Sequence, residues 1–150
     1  MSLSRLHVAA LASALVAVAL IAPATTQAAG TTVSLGTASG IGKVLVTGKG
    51  VTLYLFEKDK KGGGKSTCAG SCAKFWPPLI TKGKPVARGG VKSSLLGTIK
   101  RSDGTSQATY AGWPLYTYTG DSRPGQANGT GLTAFGGTWF PLHSTGKKAG

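Results

Sequence analysis

The sequence contains few acidic residues and few of the residue types that most often carry catalysis. Of its 150 residues, only 4 are Asp or Glu, and there are 2 His and 2 Cys. No serine-nucleophile signature, phosphate-binding loop, dinucleotide-binding glycine pattern or zinc-ligand spacing is present. The only His after residue 28 is His143. These absences exclude the enzyme classes that short motifs define, and we expect a non-enzymatic protein with no cofactor and no metal.

Long apolar runs are also absent, apart from one near the amino terminus. This run of 15 residues, Val8 to Ala22, follows Arg5 and precedes Thr26-Gln27-Ala28. Such a pattern is typical of a secretory signal peptide and is too short for a membrane span. We therefore expect residues 1–28 to be removed, and a secreted or extracytoplasmic cell-envelope protein with no transmembrane segment in its mature chain. Without a Cys at the cleavage site, no lipid anchor is expected.

Basic residues are abundant: the whole chain has 17 Lys and Arg and a formal net charge of +13, which becomes +12 when Arg5 is removed. A charge of this size favours association with polyanions, and an exported protein first meets anionic cell-wall polymers or an acidic membrane surface. The lysines form no dense run, so we expect no specific nucleic-acid site. The charge would also serve to keep a glycine-rich surface soluble.

The chain contains an internal duplication. Three pairs of matching segments lie 61, 62 and 63 residues apart: Leu35-Gly36-Thr37 with Leu96-Gly97-Thr98, Leu53 to Asp59 with Leu115 to Asp121, and Trp76-x-Pro78-Leu79 with Trp139-x-Pro141-Leu142. The middle pair shares the motif Leu-Tyr-x-aromatic-x-x-Asp. Two units are too few for a solenoid. We therefore expect one body in which the two units meet around a pseudo-two-fold axis.

The local patterns favour short strands. β-Branched runs alternate with glycine turns, and no stretch after the signal has a helical period. The predicted fold is all-β, a single domain built from two tandem similar units of about 60 residues, pseudo-two-fold and sandwich- or barrel-like. We expect a linker at 29–34 that runs into a first strand around Thr32 to Leu35, a two-repeat domain at 35–143 and a frayed basic tail at 144–150. Repeat one covers about 35–80 and repeat two about 96–142.

One predicted strand, Val51 to Phe56, has two apolar faces. Alternation places Leu53 and Leu55 on one face and Tyr54 and Phe56 on the other, so both faces should be covered. The turn Gly48-Lys49-Gly50 makes a hairpin with residues 43–47 the natural pairing. Glu57 to Ser66, which follows, is charged and glycine-rich and is predicted to be a mobile surface loop.

These motifs together resemble a known family. Two Tyr-x-aromatic-x-x-Asp copies, a Cys pair before Trp76-Pro77-Pro78, and Trp139-x-Pro141-Leu142 at the end of the second unit are similar to the bacterial "secreted repeat of unknown function" proteins. These are also described as predicted lipoproteins with a Yx(FWY)xxD motif. The resemblance covers roughly residues 35–142. It implies an exported, repeat-built protein and supplies no reaction.

The two cysteines, Cys68 and Cys72, are expected to form a disulfide because the protein is exported to an oxidising compartment. Counting back from the Trp residues, they correspond to Gly131 and Phe135, so repeat two packs without a bridge at this place. The disulfide is therefore a local staple or a redox site. Three residues separate the cysteines, whereas thioredoxin-like sites have two.

The motif residues are predicted to build the fold. Asp59 and Asp121 follow their strands and are expected to hold turns through backbone N–H groups. A cation site or an acid–base pair at these aspartates remains an alternative. The matched aromatics are expected to form a shared core, with any ligand adjacent to them: Tyr54, Phe56, Tyr116, Tyr118 and the anchors Trp76 and Trp139. Tyr110 and Trp113 have no aromatic counterpart in repeat one.

The sequence therefore predicts an exported, non-enzymatic cell-envelope or extracellular binding module of unknown ligand that associates with anionic envelope polymers. The alternative is a redox or electron-transfer accessory protein that uses the Cys68/Cys72 pair.

Overall fold

The computed structural model describes residues 30–150, so the predicted signal peptide lies outside the described residues. Short strands make up most of the regular structure. The strands are β1 (Thr32–Ala38), β2 (Gly42–Thr47), β3 (Tyr54–Phe56), β4 (Val86–Ala87), β5 (Leu96–Lys100), β6 (Ser106–Tyr110), β7 (Trp113–Pro114), β8 (Thr133–Ala134) and β9 (Gly137–Pro141). One short helix, α1 (Ser71–Phe75), and one 3₁₀ turn at Ser93–Leu95 interrupt them.

The strands form three small sheets. Their orders are β2-β1-β4, β3-β9-β8 and β5-β6-β7. All neighbouring pairs are antiparallel except β1 and β4, which are parallel. Within residues 30–150 these sheets do not close into a barrel. The prediction of a nearly all-β fold with two tandem repeats is confirmed.

Equivalent backbone hydrogen bonds show how the two repeats correspond. The β1–β2 hairpin of repeat one matches the β5–β6 hairpin of repeat two. The N–H of Leu45 donates to the carbonyl of Leu142 over 2.8 Å, and the N–H of Ala108 donates to the carbonyl of Leu79, also over 2.8 Å. Each hairpin is thus bonded to the end of the Trp-x-Pro-Leu segment that belongs to the other repeat.

The two repeats are joined through their motif strands. Strand β3 of repeat one pairs with β9 of repeat two, with Tyr54 opposite Pro141. In the same way, Tyr116 of repeat two lies opposite Pro78 of repeat one. Between these pairs, the backbones of Tyr54 and Tyr116 exchange two hydrogen bonds of 2.8 and 3.0 Å. The pseudo-two-fold axis therefore passes between the two motif tyrosines.

The alternation predicted for the first motif strand is confirmed. Leu53 and Leu55 belong to an aliphatic core with Leu115 and Leu142, while Tyr54 and Phe56 belong to a separate aromatic core. All four motif-strand side chains are fully buried. The motif strand therefore separates the aliphatic core from the aromatic core.

Both termini of the described region are packed against the domain. The first strand, expected around Thr32 to Leu35, is β1, in which Val33 is buried and pairs with both Thr47 and Ala87. The carboxyl-terminal tail was predicted to be frayed. Instead, Ala149 is fully buried and its N–H donates to the carbonyl of Pro141 over 2.9 Å.

Two local predictions hold in part. The expected hairpin between residues 43–47 and 51–56 forms near its turn, where Val46 pairs with Thr52, and the N–H groups of Thr47 and Leu53 donate to the carbonyls of Val51 and Leu45 over 2.8 and 2.9 Å. It ends there because the N–H of Leu45 donates to the carbonyl of Leu142 instead. The Glu57–Ser66 segment is a surface loop, as predicted, except that Asp59 within it is only 1% exposed. Pairing between the repeats accounts for both differences, since it draws the motif strand and its aspartate into the core.

Candidate functional site

The motif tyrosines and aspartates are paired across the repeats. The hydroxyl of Tyr54 donates to Oδ2 of Asp121 over 2.6 Å, and the hydroxyl of Tyr116 donates to Oδ2 of Asp59 over 2.6 Å. Each tyrosine therefore uses the aspartate of the other motif copy. We refer to these two hydrogen bonds as the crossed pairs.

The second carboxylate oxygen of each aspartate holds a loop. Oδ1 of Asp59 accepts hydrogen bonds from both the N–H and the hydroxyl of Thr67, each 2.7 Å long. Oδ1 of Asp121 accepts one from the N–H of Asn128 over 2.8 Å. Both aspartates are buried, and all four of their carboxylate oxygens accept hydrogen bonds from the protein. Backbone N–H groups thus reach both carboxylates, as a turn-holding role requires.

The environment of the crossed pairs keeps the tyrosines protonated. Burial is the main cause that raises the pKa of Tyr54 far above its ordinary value of 10.0, and the hydrogen bond to Asp121 adds to it. For Tyr116, burial again comes first, followed by the charge of Asp59 and the hydrogen bond to it. Neither hydroxyl is therefore suited to act as a base, and both remain hydrogen-bond donors.

The aromatic core contains four rings packed face to face, here called the aromatic stack. Phe56 stacks on Trp139 with centroids 4.0 Å apart, Trp139 on Trp76 at 3.9 Å, and Trp76 on Tyr118 at 4.3 Å. Tyr54 meets Trp76 edge-on at 5.3 Å, and Tyr116 meets Trp139 edge-on at 5.1 Å. Offset and edge contacts of this kind stabilise beyond the area they bury. Successive rings in the stack come from alternate repeats. The pseudo-two-fold axis therefore relates Trp76 to Trp139 and Phe56 to Tyr118.

The cysteine pair supports one end of this stack. Cys68 and Cys72 form a disulfide with their Cα atoms 5.2 Å apart, as expected from the sequence. The bridge is buried against the aromatic core. It encloses the start of α1, and the carbonyl of Cys72 accepts the N–H of Trp76 over 2.8 Å. The disulfide therefore fixes the short segment that presents Trp76.

Sequence reasoning did not single out Arg101, although its side chain is only 6% exposed. Its Nη1 donates to Ser66 Oγ over 2.9 Å and to Gln107 Oε1 over 2.7 Å, and its Nη2 donates to the carbonyl of Cys68 over 2.7 Å. The hydroxyl of Ser66 also lies 2.7 Å from that of Tyr116, so Arg101 is linked to one crossed pair. In the repeat alignment its counterpart is Gly40. This difference between the repeats was the sequence signal that could have indicated a special role for Arg101.

Arg101 lines a cleft of about 290 Å³, here called the Arg101 cleft. The lining residues are Lys65, Ser66, Ala69, Lys100, Arg101 and Ser102. A cleft of about 340 Å³ in the opposite half includes residues of the corresponding loops, Ser39 and Gln126 to Asn128, together with Arg123 to Gly125. The Arg101 cleft is rich in cations, whereas the corresponding cleft is mainly uncharged. The two clefts can therefore be compared within one molecule.

A third concavity, of about 240 Å³, is apolar. Phe75, Leu132 and Phe135 are exposed there beside the edges of Trp76 and Tyr118, and the rings of Phe75 and Phe135 lie 6.1 Å apart. Phe135 is at the position that corresponds to Cys72. The apolar concavity is thus built where the two repeats differ most.

Charge is sorted between the interior and the surface. Two of the four acids, Asp59 and Asp121, are buried, and a third, Glu57, bonds to Lys148 over 2.6 Å. All basic residues of the described region except Arg101 are exposed. They are Lys43, Lys49, Lys58, Lys60, Lys61, Lys65, Lys74, Lys82, Lys84, Arg88, Lys92, Lys100, Arg123, Lys147 and Lys148. The surface is therefore more uniformly basic than the composition alone requires.

The remaining residues noted in the sequence lie outside these arrangements. Nδ1 of His143 lies 2.8 Å from the carbonyl of Lys43. Tyr110 is buried and donates to the carbonyl of Ser144 over 2.7 Å, and Trp113 packs partly buried against the aliphatic core. Across residues 30–150, no group of three His, Cys, Asp or Glu side chains is placed to hold a metal ion. In the same range, no helix has the length and hydropathy needed to cross a membrane.

Comparison with known proteins identifies the family. The model of the family described as "secreted repeat of unknown function" matches twice, at residues 37–80 and 97–143. The chain belongs to this family, and the resemblance inferred from its motifs is confirmed. Neither the comparison with curated proteins nor that with solved structures found a match. The family description fits an exported module with an extracytoplasmic location.

Proposed function

We propose that this protein is a non-enzymatic binding module of the cell envelope that associates with anionic envelope polymers. The observation that carries the proposal is the sorting of charge. The crossed pairs bury two of the four carboxylates, while 15 basic side chains of the described residues remain exposed. Exposed charge of one sign attracts an oppositely charged polymer over roughly one Debye length, about 10 Å at 0.1 M salt.

The arrangement of the motif residues supports a binding role over catalysis. The two tyrosines and two aspartates bond to one another and to loop groups, so they are engaged in holding the repeats together. The surrounding loops supply the surface that a polymer would contact. The motif would then act as the scaffold and the loops as the binding surface.

The disulfide supports this proposal over the redox alternative. Cys68 is fully buried and Cys72 is 5% exposed, beside the rings of the aromatic core. Thiol–disulfide exchange needs an attacking thiolate to reach a sulfur atom, and burial hinders this approach. A structural bridge of this type is expected to have a midpoint potential below about −300 mV, and a value near −200 mV would favour the redox function.

The test is retention on isolated cell wall at increasing ionic strength. The purified mature protein should cosediment with wall material at about 0.02 M salt and be released at about 0.2 M, because exposed charges are screened over that range. Wall stripped of its anionic polymers serves as the matched control and should retain little protein. Retention that is unchanged by salt, or equal on stripped wall, would contradict the proposal.

A further inference from the structure

We propose that the Arg101 cleft is a phosphate-binding site, which takes one phosphate group of the anionic polymer. The inference rests on the proposed function, because it names the place and the chemistry of the contact. Three observations support it: the hydrogen bonding of the buried Arg101, the charge of the side chains that line the cleft, and the absence of these cations at the corresponding positions of the other repeat.

Arg101 is a buried cation whose direct hydrogen-bond partners are neutral. Its three hydrogen bonds go to a hydroxyl, an amide oxygen and a backbone carbonyl, and its buried Nε has no hydrogen-bond partner among residues 30–150. Buried charges are normally paired, because removing them from water is costly. An anion in the cleft beside this guanidinium would supply the missing charge.

The nearest carboxylate does not complete this pairing. Oδ2 of Asp103 lies 3.8 Å from Nε of Arg101, beyond hydrogen-bonding distance, and the Asp103 side chain is 59% exposed. Its other oxygen accepts hydrogen bonds from the N–H and the hydroxyl of Thr105, at 2.9 and 2.6 Å. These bonds hold Asp103 on the surface turn, so that the guanidinium keeps an unused donor.

The rest of the lining suits a phosphate group. Lys65 and Lys100 are exposed and add two more cations, while Ser102 adds a hydroxyl group. Guanidinium binds phosphate oxygens with directed hydrogen bonds, and ammonium groups add attraction as mobile point charges. A volume of about 290 Å³ admits one phosphate with part of its neighbouring polyol. A recessed cleft of this size favours one group of a flexible polymer over a flat membrane surface.

The other repeat shows that packing alone does not require these cations. The repeat alignment places Ser39 and Gly40 where repeat two has Lys100 and Arg101. The second crossed pair, Tyr54 with Asp121, forms there at the same 2.6 Å distance without a buried arginine. The cations of the Arg101 cleft are therefore additional to what the crossed pairs need.

The test is binding of glycerol phosphate, followed by amide chemical shifts in NMR titrations of the mature protein, with acetate as the carboxylate control. The residues of the Arg101 cleft should shift with glycerol phosphate at concentrations at which acetate causes no shift. The double variant Lys65→Gln/Lys100→Gln should weaken binding at least tenfold. The matched control Lys82→Gln/Lys84→Gln removes two lysines from a different cleft and should weaken binding less than threefold.

Two further variants test Arg101 itself. Asp103→Asn should tighten binding severalfold, because it removes the carboxylate nearest to Nε and leaves the turn in place. Arg101→Lys keeps the charge and loses the planar donor group, so it should bind more weakly than wild type. Its melting temperature is measured alongside. If this variant is unfolded, the Lys65/Lys100 and Asp103 variants test whether the cleft binds phosphate.

The outcomes separate this inference from the proposed function. Equal weakening by the two double variants, or no binding of glycerol phosphate while wall retention persists, would overturn the site and leave the proposed function intact. Glycerol phosphate binding at the cleft without any wall retention would do the reverse. Binding to phosphatidylglycerol vesicles that depends on Lys65 and Lys100, without binding of glycerol phosphate, would overturn the polymer assignment in favour of a membrane.

Discussion

Trp76 of repeat one and Trp139 of repeat two occupy equivalent places in the aromatic stack, but different local structures present them. Trp76 follows α1, whose first turn is enclosed by the Cys68–Cys72 disulfide. Trp139 lies on β9, in a hairpin with β8, and its N–H donates to the carbonyl of Leu132 over 3.0 Å. The contacts that the motif tyrosines, aspartates and tryptophans make across the repeats are equivalent in the two halves, whereas the local supports differ.

This comparison separates two kinds of residue in the duplication. The tyrosines, aspartates and tryptophans each contact the other repeat, so both copies are needed for one structure. The two supports also contact the other repeat, for example where the carbonyl of Cys68 accepts a hydrogen bond from Arg101, but these contacts have no counterpart in the second half. The supports can therefore differ as long as the Trp is presented in the same place. The predictions below test this separation, from the largest expected effect to the smallest.

Removing either Trp should cause the largest loss of stability. Trp139→Ala and Trp76→Ala should each lower the free energy of unfolding by about 3–5 kcal/mol, because a large buried ring is lost from the stack. Trp139 should cost at least as much as Trp76, since Phe56 on its outer side is fully buried whereas Tyr118 beside Trp76 is partly exposed. Urea unfolding followed by circular dichroism measures both. A loss below about 1 kcal/mol at either position would show that the stack is not a shared core.

The motif aspartates should follow in size. Asp59→Ala is expected to lower the free energy of unfolding by roughly 3 kcal/mol and Asp121→Ala by roughly 2, because each change removes a buried carboxylate that accepts hydrogen bonds from a tyrosine hydroxyl and a loop N–H. Asp59 ranks first since it accepts three hydrogen bonds and Asp121 accepts two. Thermal and urea unfolding provide the measurement.

Asp103 offers the control for this pair. It is an exposed acid on a turn, and Asp103→Ala should lower stability by less than either motif aspartate. If Asp121→Ala instead left stability unchanged and abolished binding, Asp121 would belong to a functional site and the structural role would be wrong.

Removing the disulfide should have a smaller and local effect. The double change Cys68→Ser/Cys72→Ser closes no loop, and the chain-entropy model gives a loss of about 2 kcal/mol for a loop this short. Amide hydrogen exchange should quicken in α1 and leave the β8–β9 hairpin unchanged, because the bridge lies in repeat one alone. Wall retention should persist. Equal loosening of both supports would show that the two halves are not locally independent.

The crossed pairs should make stability depend on pH only in alkali, which is the smallest of these effects under ordinary conditions. The pKa of both tyrosines is raised in the folded protein above 10.0, their value when unfolded. Their contribution is therefore fully present below pH 10 and falls as the pH rises above 10, where the unfolded chain loses protons that the folded protein retains. Melting temperature against pH should show a steeper decline above pH 10 for wild type than for Tyr54→Phe/Tyr116→Phe. Parallel curves would contradict this account.

Much of the architecture was predictable from local patterns. Matching segments revealed the duplication, and alternation assigned Leu53 and Leu55 to one core and Tyr54 and Phe56 to another, because side chains of a strand alternate by geometry. The disulfide followed from the compartment and the count of two cysteines. The helix α1 was not predicted, since its 5 residues are too few for a helical period to show.

The pairing across repeats could not be predicted in the same way. Each motif copy has both a tyrosine and an aspartate, so a tyrosine could pair with the aspartate of its own copy or with that of the other copy. Sequence spacing does not distinguish these two arrangements. Arg101 was missed because it is one of 16 basic residues after the signal and no local pattern marks its burial. The ordered tail was missed because Ala149 is small and lies among glycines and lysines, which resemble a frayed end.

The crossed pairs also bear on how such a domain can be assembled. Neither half contains a complete set of partners: a single repeat has a tyrosine without its aspartate and a Trp-x-Pro segment without its motif strand. An isolated half would therefore complete itself only by meeting a second copy, as a symmetric dimer. The two-repeat chain is in this sense a covalently joined dimer, and cutting the connection between the halves, at residues 81–95, should leave two fragments that remain associated.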